Sequence, residues 1–394
     1  MVMPAFNFAK VPPIYFGAGK LKLLPKILRQ LKGSNILLVT GAHSLQSSGK
    51  LPQIETMLRT VGIEVHPVIC NGEPTTSMID RTCAEYRKAS IDGVVAIGGG
   101  SVVDAGKALS AMLPHNNSLF DHLEGVGLGI PHSGVKTPFI AIPTTSGTGG
   151  EVTKNAVISE VGPLGYKKSL RHENLIPDVV IVDGELLTSC PRHVTAACGM
   201  DAFTQLLEPY LSPTASPLTD AIAWSGLEAI KNNLLLACGE GANDIAVREG
   251  MAYASLMSGI TLANAGLGIV HGLASPIGGF FPIPHGVVCG TLVAASVRAN
   301  VQALWARTPE SPSLDKLARL GGLLSEQSYS NKEEACKALV KVLDNWTEVL
   351  KLPLLREYGV QQSDLDRILD KTANRNNPIE LSRDEIRALV EERL

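Results

Sequence analysis

Five short apolar runs, separated by stretches long enough for helices, constrain the fold of this chain more than anything else in it. They are Ile-Leu-Leu-Val-Thr at 36–40, Glu-Val-His-Pro-Val-Ile at 64–69, Gly-Val-Val-Ala-Ile at 93–97, Phe-Ile-Ala-Ile at 139–142 and Val-Val-Ile-Val at 179–182. Runs of this kind suit strands buried on both faces, and the spacers suit the helical crossovers that parallel strands require. After Asp183 helical spacing dominates and strand-like runs become scarce. Ser382-Arg-Asp-Glu385 is a capping box in front of a last helix over 386–394. With 394 residues the chain exceeds one ordinary core. The expectation is an α/β domain with a parallel sheet over 1–188, an all-α domain over 189–394, and a cleft between them.

Two turns in the first half have the chemistry of a phosphate cradle. Gly98, Gly99, Gly100 and Ser101 follow the third run and lead into a helical segment that carries Asp104. Glycines let a backbone approach a ligand, and the first N–H groups of the following helix offer donors and a partial positive charge. The turn is not the Rossmann fingerprint, because Val103 stands where its third glycine would be. A plain strand-to-helix connection capped by Ser101 is the other use of such a turn. The fourth run ends in a second turn of this composition, Pro143-Thr-Thr-Ser-Gly-Thr-Gly-Gly-Glu151, where Thr144, Thr145 and Thr148 offer hydroxyls. Two such turns at the ends of parallel strands fit a dinucleotide better than a lone phosphate. The first such turn of the sheet, with Gly41 and Ala42, lacks the acidic residue that bonds an adenosine ribose 2′-hydroxyl. NADP is therefore mildly favoured over NAD.

In the second half, His271 and His285 stand in a glycine-bracketed frame, downstream of Gly199-Met-Asp201-Ala. One oxygen and two nitrogen donors make a three-ligand metal set with an open position, able to polarise a substrate oxygen. One helical turn after Asp201 comes Gln205, a weaker donor than imidazole. The other seven histidines (43, 66, 115, 122, 132, 172 and 193) have no ligand spacing and are expected to be surface or structural. Phe280, Phe281, Ile283 and Leu267 suggest a partly apolar pocket beside the pair.

Composition narrows the classes of partner. The formal net charge of −3, with scattered Lys and Arg, argues against nucleic acid. Seven cysteines, an odd number with no Cys-x-x-Cys pair, argue against a disulfide framework and against a thiolate zinc site. No run reaches the ~18 apolar residues of a membrane span and no leader stands at the N-terminus, so a cytoplasmic protein with no membrane partner is expected.

These motifs together resemble the iron-containing (group III) alcohol dehydrogenase family, related to 3-dehydroquinate synthase. The likeness runs from Phe16-Gly-Ala-Gly19 through Gly98-Gly-Gly-Ser-Val-Val-Asp104-Ala-Gly-Lys107, Pro143-Thr-Thr-Ser-Gly-Thr-Gly149, Lys167 and Gly199-Met-Asp201-Ala to His271-Gly and Pro284-His285-Gly286. The resemblance implies a dehydroquinate synthase-like fold, with a nucleotide-binding domain followed by a helical metal and substrate domain. It implies NAD(P)-dependent hydride transfer between a primary or secondary alcohol and its aldehyde or ketone, with a divalent metal, Fe or Zn, on the substrate oxygen. A small-molecule substrate and a homodimer come with it.

By position, Gly98 to Ser101 would hold the pyrophosphate, Asp104 would lie beside the nicotinamide, Thr144, Thr145 and Lys167 would touch the cofactor, and Asp201, His271 and His285 would bind the metal. Two positions depart from the family pattern: Gln205 replaces a ligand histidine and Ser275 a histidine often proposed to relay the proton. A serine hydroxyl conducts a proton but does not hold one near neutral pH. The departures leave open a metal-independent carbonyl reductase of the maleylacetate reductase kind, or a nucleotide-binding protein whose catalysis has decayed.

Overall fold

The computed structural model describes residues 5–394. Its first half holds strands β1 (Ile14–Phe16), β2 (Asn35–Gly41), β3 (Glu64–Cys70), β4 (Gly93–Gly98), β5 (Phe139–Pro143), β6 (Asn155–Glu160), β7 (Tyr166–Arg171) and β8 (Val179–Val182). The helices of this half are α1 (Leu24–Gln30), α2 (Ser44–Ser47), α3 (Lys50–Thr60), α4 (Thr76–Tyr86) and α5 (Gly100–Met112). Six strands form one sheet in the order β1-β8-β5-β4-β2-β3, and every pairing in it is parallel. All five expected runs are strands of this sheet. β4, β5 and β8 are buried at every residue, as their unbroken apolar character requires.

Two features of this half escape the apolar pattern. β1 is a three-residue edge strand, too short to make a run. β6 and β7 form a separate antiparallel hairpin, and β7 reads Tyr-Lys-Lys-Ser-Leu-Arg, with a single buried residue. Its polar side chains face the cleft described below.

The second half contains α6 (Arg192–Leu211), α7 (Pro217–Ala237), α8 (Ile245–Ala265), α9 (Ile269–Phe280), α10 (His285–Arg307), α11 (Pro312–Ser325), α12 (Lys332–Val349), α13 (Leu365–Leu369) and α14 (Arg383–Glu391). Among the described residues no strand follows Val182. The capping box is present at α14, where Ser382 Oγ accepts from Glu385 N and Glu385 Oε2 accepts from Ser382 N. α10, at 23 residues with a mean hydropathy of 1.4, is long and apolar enough to cross a membrane, contrary to the expectation that nothing reaches that length. It is the central helix of the second half, and 78% of its apolar window is buried against its neighbours.

Capping at α5 differs from expectation: Gly99 is the cap, no side chain bonds there, and Ser101 lies inside the first turn. The two glycine-rich turns are tied together by a bond from Thr144 N to Gly98 O of 2.9 Å. The second turn also joins the two halves. Gly149 has φ of 57°, and a Cβ on it would stand 2.4 Å from Gly259 N of α8; a Cβ on Gly259 would stand 2.2 Å from Gly149 O. Only a pair of glycines permits this approach.

Candidate metal centre and cofactor cleft

Three helices of the second half converge beneath the glycine turns. α6 presents Asp201, Gln205 and Glu208 at spacings of four and three residues, on one face. α8 and α9 meet at an angle of 101° at a break that includes Gly266, whose φ is 72°. That bend aims the start of α9, and His271 with it, at the same face of α6. α10 begins with His285 directly after Pro284 and brings Cys289 one turn later.

The side chains meet as the sequence predicts. His271 Nε2 lies 3.4 Å and His285 Nε2 3.7 Å from Asp201 Oδ1. Ligands on bonds of about 2.0–2.1 Å around a tetrahedral ion stand about 3.3–3.4 Å apart, close to these separations. Among the described residues, Asp201 Oδ1 is buried and has no hydrogen-bond partner, and the same holds for His285 Nδ1. A buried carboxylate oxygen left unpaired is costly, and a cation between these three atoms removes that cost. The donor set therefore fits the metal.

Two residues that the sequence reading passed over complete the surroundings. Glu208 Oε2 lies 2.7 Å from His271 Nδ1, and Glu208 Oε1 accepts from Val270 N at 2.7 Å. The carboxylate thus sits at the N-terminus of α9 and directs the Nδ1 proton toward itself, leaving Nε2 free to coordinate. Cys289 Sγ lies 3.6 Å from His271 Nε2 and 3.7 Å from His285 Nε2. The four atoms from Asp201, His271, His285 and Cys289 all lie within 4.8 Å of one another. Both residues carry a local signal: Glu208 follows Asp201 by two turns of one helix, and Cys289 follows His285 by one.

Electrostatics follow from burial and charge. Burial opposes the charge on Asp201, but His285 and His271 overcome it and hold the carboxyl below its ordinary range. Burial pushes His285 down to about 4. His271 is buried too, yet the Cys289 sulfur and the Glu208 carboxylate raise it well above the ordinary imidazole value.

A cleft of about 250 Å³ opens above the centre, walled by Gln205, His271, Ser275 and His285 from the helical half and by Gly100, Ser101, Asp104, Thr148 and Lys167 from the sheet half. Burial raises the Asp104 carboxyl to about 7. Lys167, on β7, pairs with Glu73 at 3.0 Å, and Ser275 Oγ donates to Lys167 O at 3.1 Å. Gln205 is buried, with its Oε1 3.1 Å from Ser258 Oγ. Gly99, Thr144 and Thr145 line a neighbouring groove with Ser44, Leu45 and Ser48. Gly98 is the buried last residue of β4. Gly41 ends β2 and lines neither cavity. Leu267 lines the cleft, whereas Phe281 and Ile283 belong to the core.

Of the remaining histidines, four gather away from the cleft. His132 has ring centroids of His115, His122 and His172 at 4.7, 5.4 and 5.9 Å. Its Nε2 faces Ala111 O at 3.2 Å and its Nδ1 accepts from Gly134 N at 3.0 Å, so the ring is a structural element of its segment.

The family models for iron-containing alcohol dehydrogenases match residues 12–184 and, for the C-terminal part of that family, 195–394. An NADPH-dependent butanol dehydrogenase of Clostridium saccharobutylicum is 31% identical over 392 residues, covering 96% of this chain and 95% of its own. Long-chain-alcohol dehydrogenase 1 of Geobacillus thermodenitrificans is 33% identical, with 96% and 95% covered. An archaeal halo-thermophilic alcohol dehydrogenase from a Red Sea brine pool superposes with a TM-score of 0.89 at 26% identity, over the whole of both chains. An enzyme of this kind uses NAD(P) and a divalent metal to interconvert alcohols and aldehydes. The chain belongs to the iron-containing alcohol dehydrogenase family.

Proposed function

We propose that Asp201, His271 and His285 hold a divalent metal at the floor of the cleft, and that the reacting carbon of the alcohol or aldehyde lies between that floor and a nicotinamide placed beside Asp104 and Thr148. The observation that carries this reading is the unpaired, buried Asp201 Oδ1 facing two imidazole nitrogens at 3.4 and 3.7 Å. When bound, the cation supplies Lewis acidity that stabilises negative charge on the substrate oxygen.

The chain's own residues do the rest. Gly98, Gly99, Gly100 and Ser101 leave the start of α5 open to the cofactor pyrophosphate, and Thr144 and Thr145 offer hydroxyls beside it. Glu208 fixes the His271 tautomer. Ser275 stands exposed at the cleft wall, where its hydroxyl passes a proton between substrate and water without holding it. Gln205 walls the cleft beside the metal position. Lys167 anchors the β7 side of the cleft through Glu73.

The same reading places a dinucleotide-binding domain over 1–188 and a metal and substrate domain over 189–394. The gap between the matched family regions, at 184 and 195, supports that division. NADP is the favoured cofactor, on the absence of an acidic residue at Gly41-Ala42 and the NADPH dependence of the clostridial relative. The cytoplasm is the proposed compartment, since all seven cysteines are unpaired among the described residues. A homodimer is proposed on the exposed edge strand β3, where Ile69 is 61% exposed.

Metal analysis of protein purified without chelators, with NADH and NADPH titrations and a panel of alcohols and aldehydes, tests the reading. One divalent ion per chain and metal-stimulated turnover are expected. Turnover that survives complete chelation would replace it with the metal-independent reductase. Gln205→His with Ser275→His separates specialisation from decay: loss of the native activity is expected, and a large gain in alcohol oxidation would mark decay.

A further inference from the structure

We propose that the Cys289 sulfur is a fourth protein ligand of the metal, taking over the coordination that Gln205 does not provide. This rests on the metal-assisted reading above. The geometry is specific. Around a tetrahedral ion with metal–nitrogen bonds of about 2.0–2.1 Å and a metal–sulfur bond of about 2.3 Å, nitrogen and sulfur stand about 3.5–3.6 Å apart. The two observed separations are 3.6 and 3.7 Å, one to each imidazole. The same separations suit an S–H···N contact, but that contact leaves the nearby Asp201 Oδ1 without a partner among the described residues, whereas a cation shared by all four atoms, which lie within 4.8 Å of one another, satisfies it.

The replacement follows from the helices. On α6 the residue one turn after Asp201 is Gln205, whose Oε1 is engaged by Ser258 Oγ at 3.1 Å. On α10 the residue one turn after His285 is Cys289, on the same face as the ligand. The missing donor of one helix is thereby supplied by another. Gln205 faces the cleft, whereas Cys289 is fully buried and not among the cleft walls. The sulfur would therefore bind from the protein side, and a substrate oxygen would enter from the cleft side as a fifth ligand. On coordination the sulfur donates an electron pair and its proton passes to solvent. A thiolate in place of an imidazole makes the site softer, so the set of one carboxylate, two imidazoles and one thiolate favours zinc over iron.

Cobalt(II) substitution of the full-length protein tests this without reference to turnover. Cobalt-loaded wild type and Gln205→Ala are expected to show a near-ultraviolet thiolate-to-cobalt charge-transfer band, and Cys289→Ser is expected to lose it. Zinc affinity of Cys289→Ser should fall by about tenfold or more, since loss of even an outer partner of a ligand costs about 10- to 100-fold. X-ray absorption on zinc-loaded wild type should show one sulfur neighbour at about 2.3 Å, so a folding failure of the variant leaves the test intact. Cobalt bound with no sulfur band in wild type, or a band that persists in Cys289→Ser, overturns the role of Cys289 and leaves the metal-assisted reading standing. Wild type that binds no cobalt overturns both.

Discussion

His271 Nδ1 and Glu208 Oε2 lie 2.7 Å apart, both buried, on different helices 63 residues apart in sequence. The bond orients the ring and sets its tautomer, so affinity for a metal on the far ring nitrogen, Nε2, would depend on Glu208. Glu208→Gln is expected to weaken metal binding by about 10- to 100-fold. A competitive chelator titration measures this, with a thermal melt as the control for folding. An affinity equal to that of wild type would remove Glu208 from the site.

Gly99 allows a cleaner test of the cofactor groove. Its φ of −73° and ψ of −177° are open to any residue, and a Cβ there would meet only Thr145, at 3.4 Å. Gly99→Val should fold and place its methyl groups where a pyrophosphate would lie. NAD(P)H affinity is expected to fall about tenfold or more, about 1.4 kcal/mol or above, while the loss of the glycine cap of α5 lowers stability in urea by no more than about 1 kcal/mol. Unchanged binding by fluorescence titration would mean that the cofactor does not cross this turn.

Lys107 is fully buried and donates to Gly150 O, Thr153 O and Asn155 O, each at 2.7 Å. These carbonyls belong to the end of the second glycine turn and the segment that follows it. Lys107→Met takes this donor from all three; Gly150 O keeps Thr153 N and Oγ1, and each buried acceptor left unsatisfied costs about 1–3 kcal/mol. A loss of about 3 kcal/mol or more in urea unfolding is expected, together with weaker cofactor binding. A loss below about 1 kcal/mol would show that the carbonyls find other partners.

His132 predicts a pH dependence of stability. Burial lowers its pKa to about 4, with His115, His122 and His172 adding like charge when protonated. Between about pH 6.5 and 4 the unfolded chain binds a proton at this ring that the folded chain refuses. Its contribution is therefore fully present above about 6.5 and is lost as pH falls through that window. At about 1.4 kcal/mol per pH unit, moving from pH 6.5 to 5 costs up to about 2 kcal/mol. Urea midpoints of wild type and His132→Asn across this range check it. The variant should show the shallower slope, and equal slopes would refute the assignment.

Where the sequence carries a periodic or compositional signal, the fold was legible in it. Continuous apolar runs can only be buried on both faces, so β2, β4, β5 and β8 stand out, as do the glycine turns after β4 and β5; β3, an edge strand with only Val68 and Cys70 buried, carries a weaker run. β1 is too short for such a signal, and the β6–β7 hairpin hides because its cleft-facing residues are polar. The spacing of Asp201 with Gln205 within one helix was equally visible, whereas Cys289, one turn after His285, carried its signal unread. What they could not reveal is which helices meet.

The chain's own pattern thus determined a parallel sheet with two glycine-rich turns, a helical second half, and a carboxylate with two histidines as a candidate metal set. Tertiary structure alone decided that Glu208 orients His271, that Cys289 stands at ligand distance from both rings, and that Lys167 pairs with Glu73 across the cleft. The physical reason is one of range. Strand burial and helical faces repeat every two to four residues and are written locally. The meeting of α6, α9 and α10 depends on the 101° bend between α8 and α9 and on the glycine contact between Gly149 and Gly259, which join segments far apart along the chain.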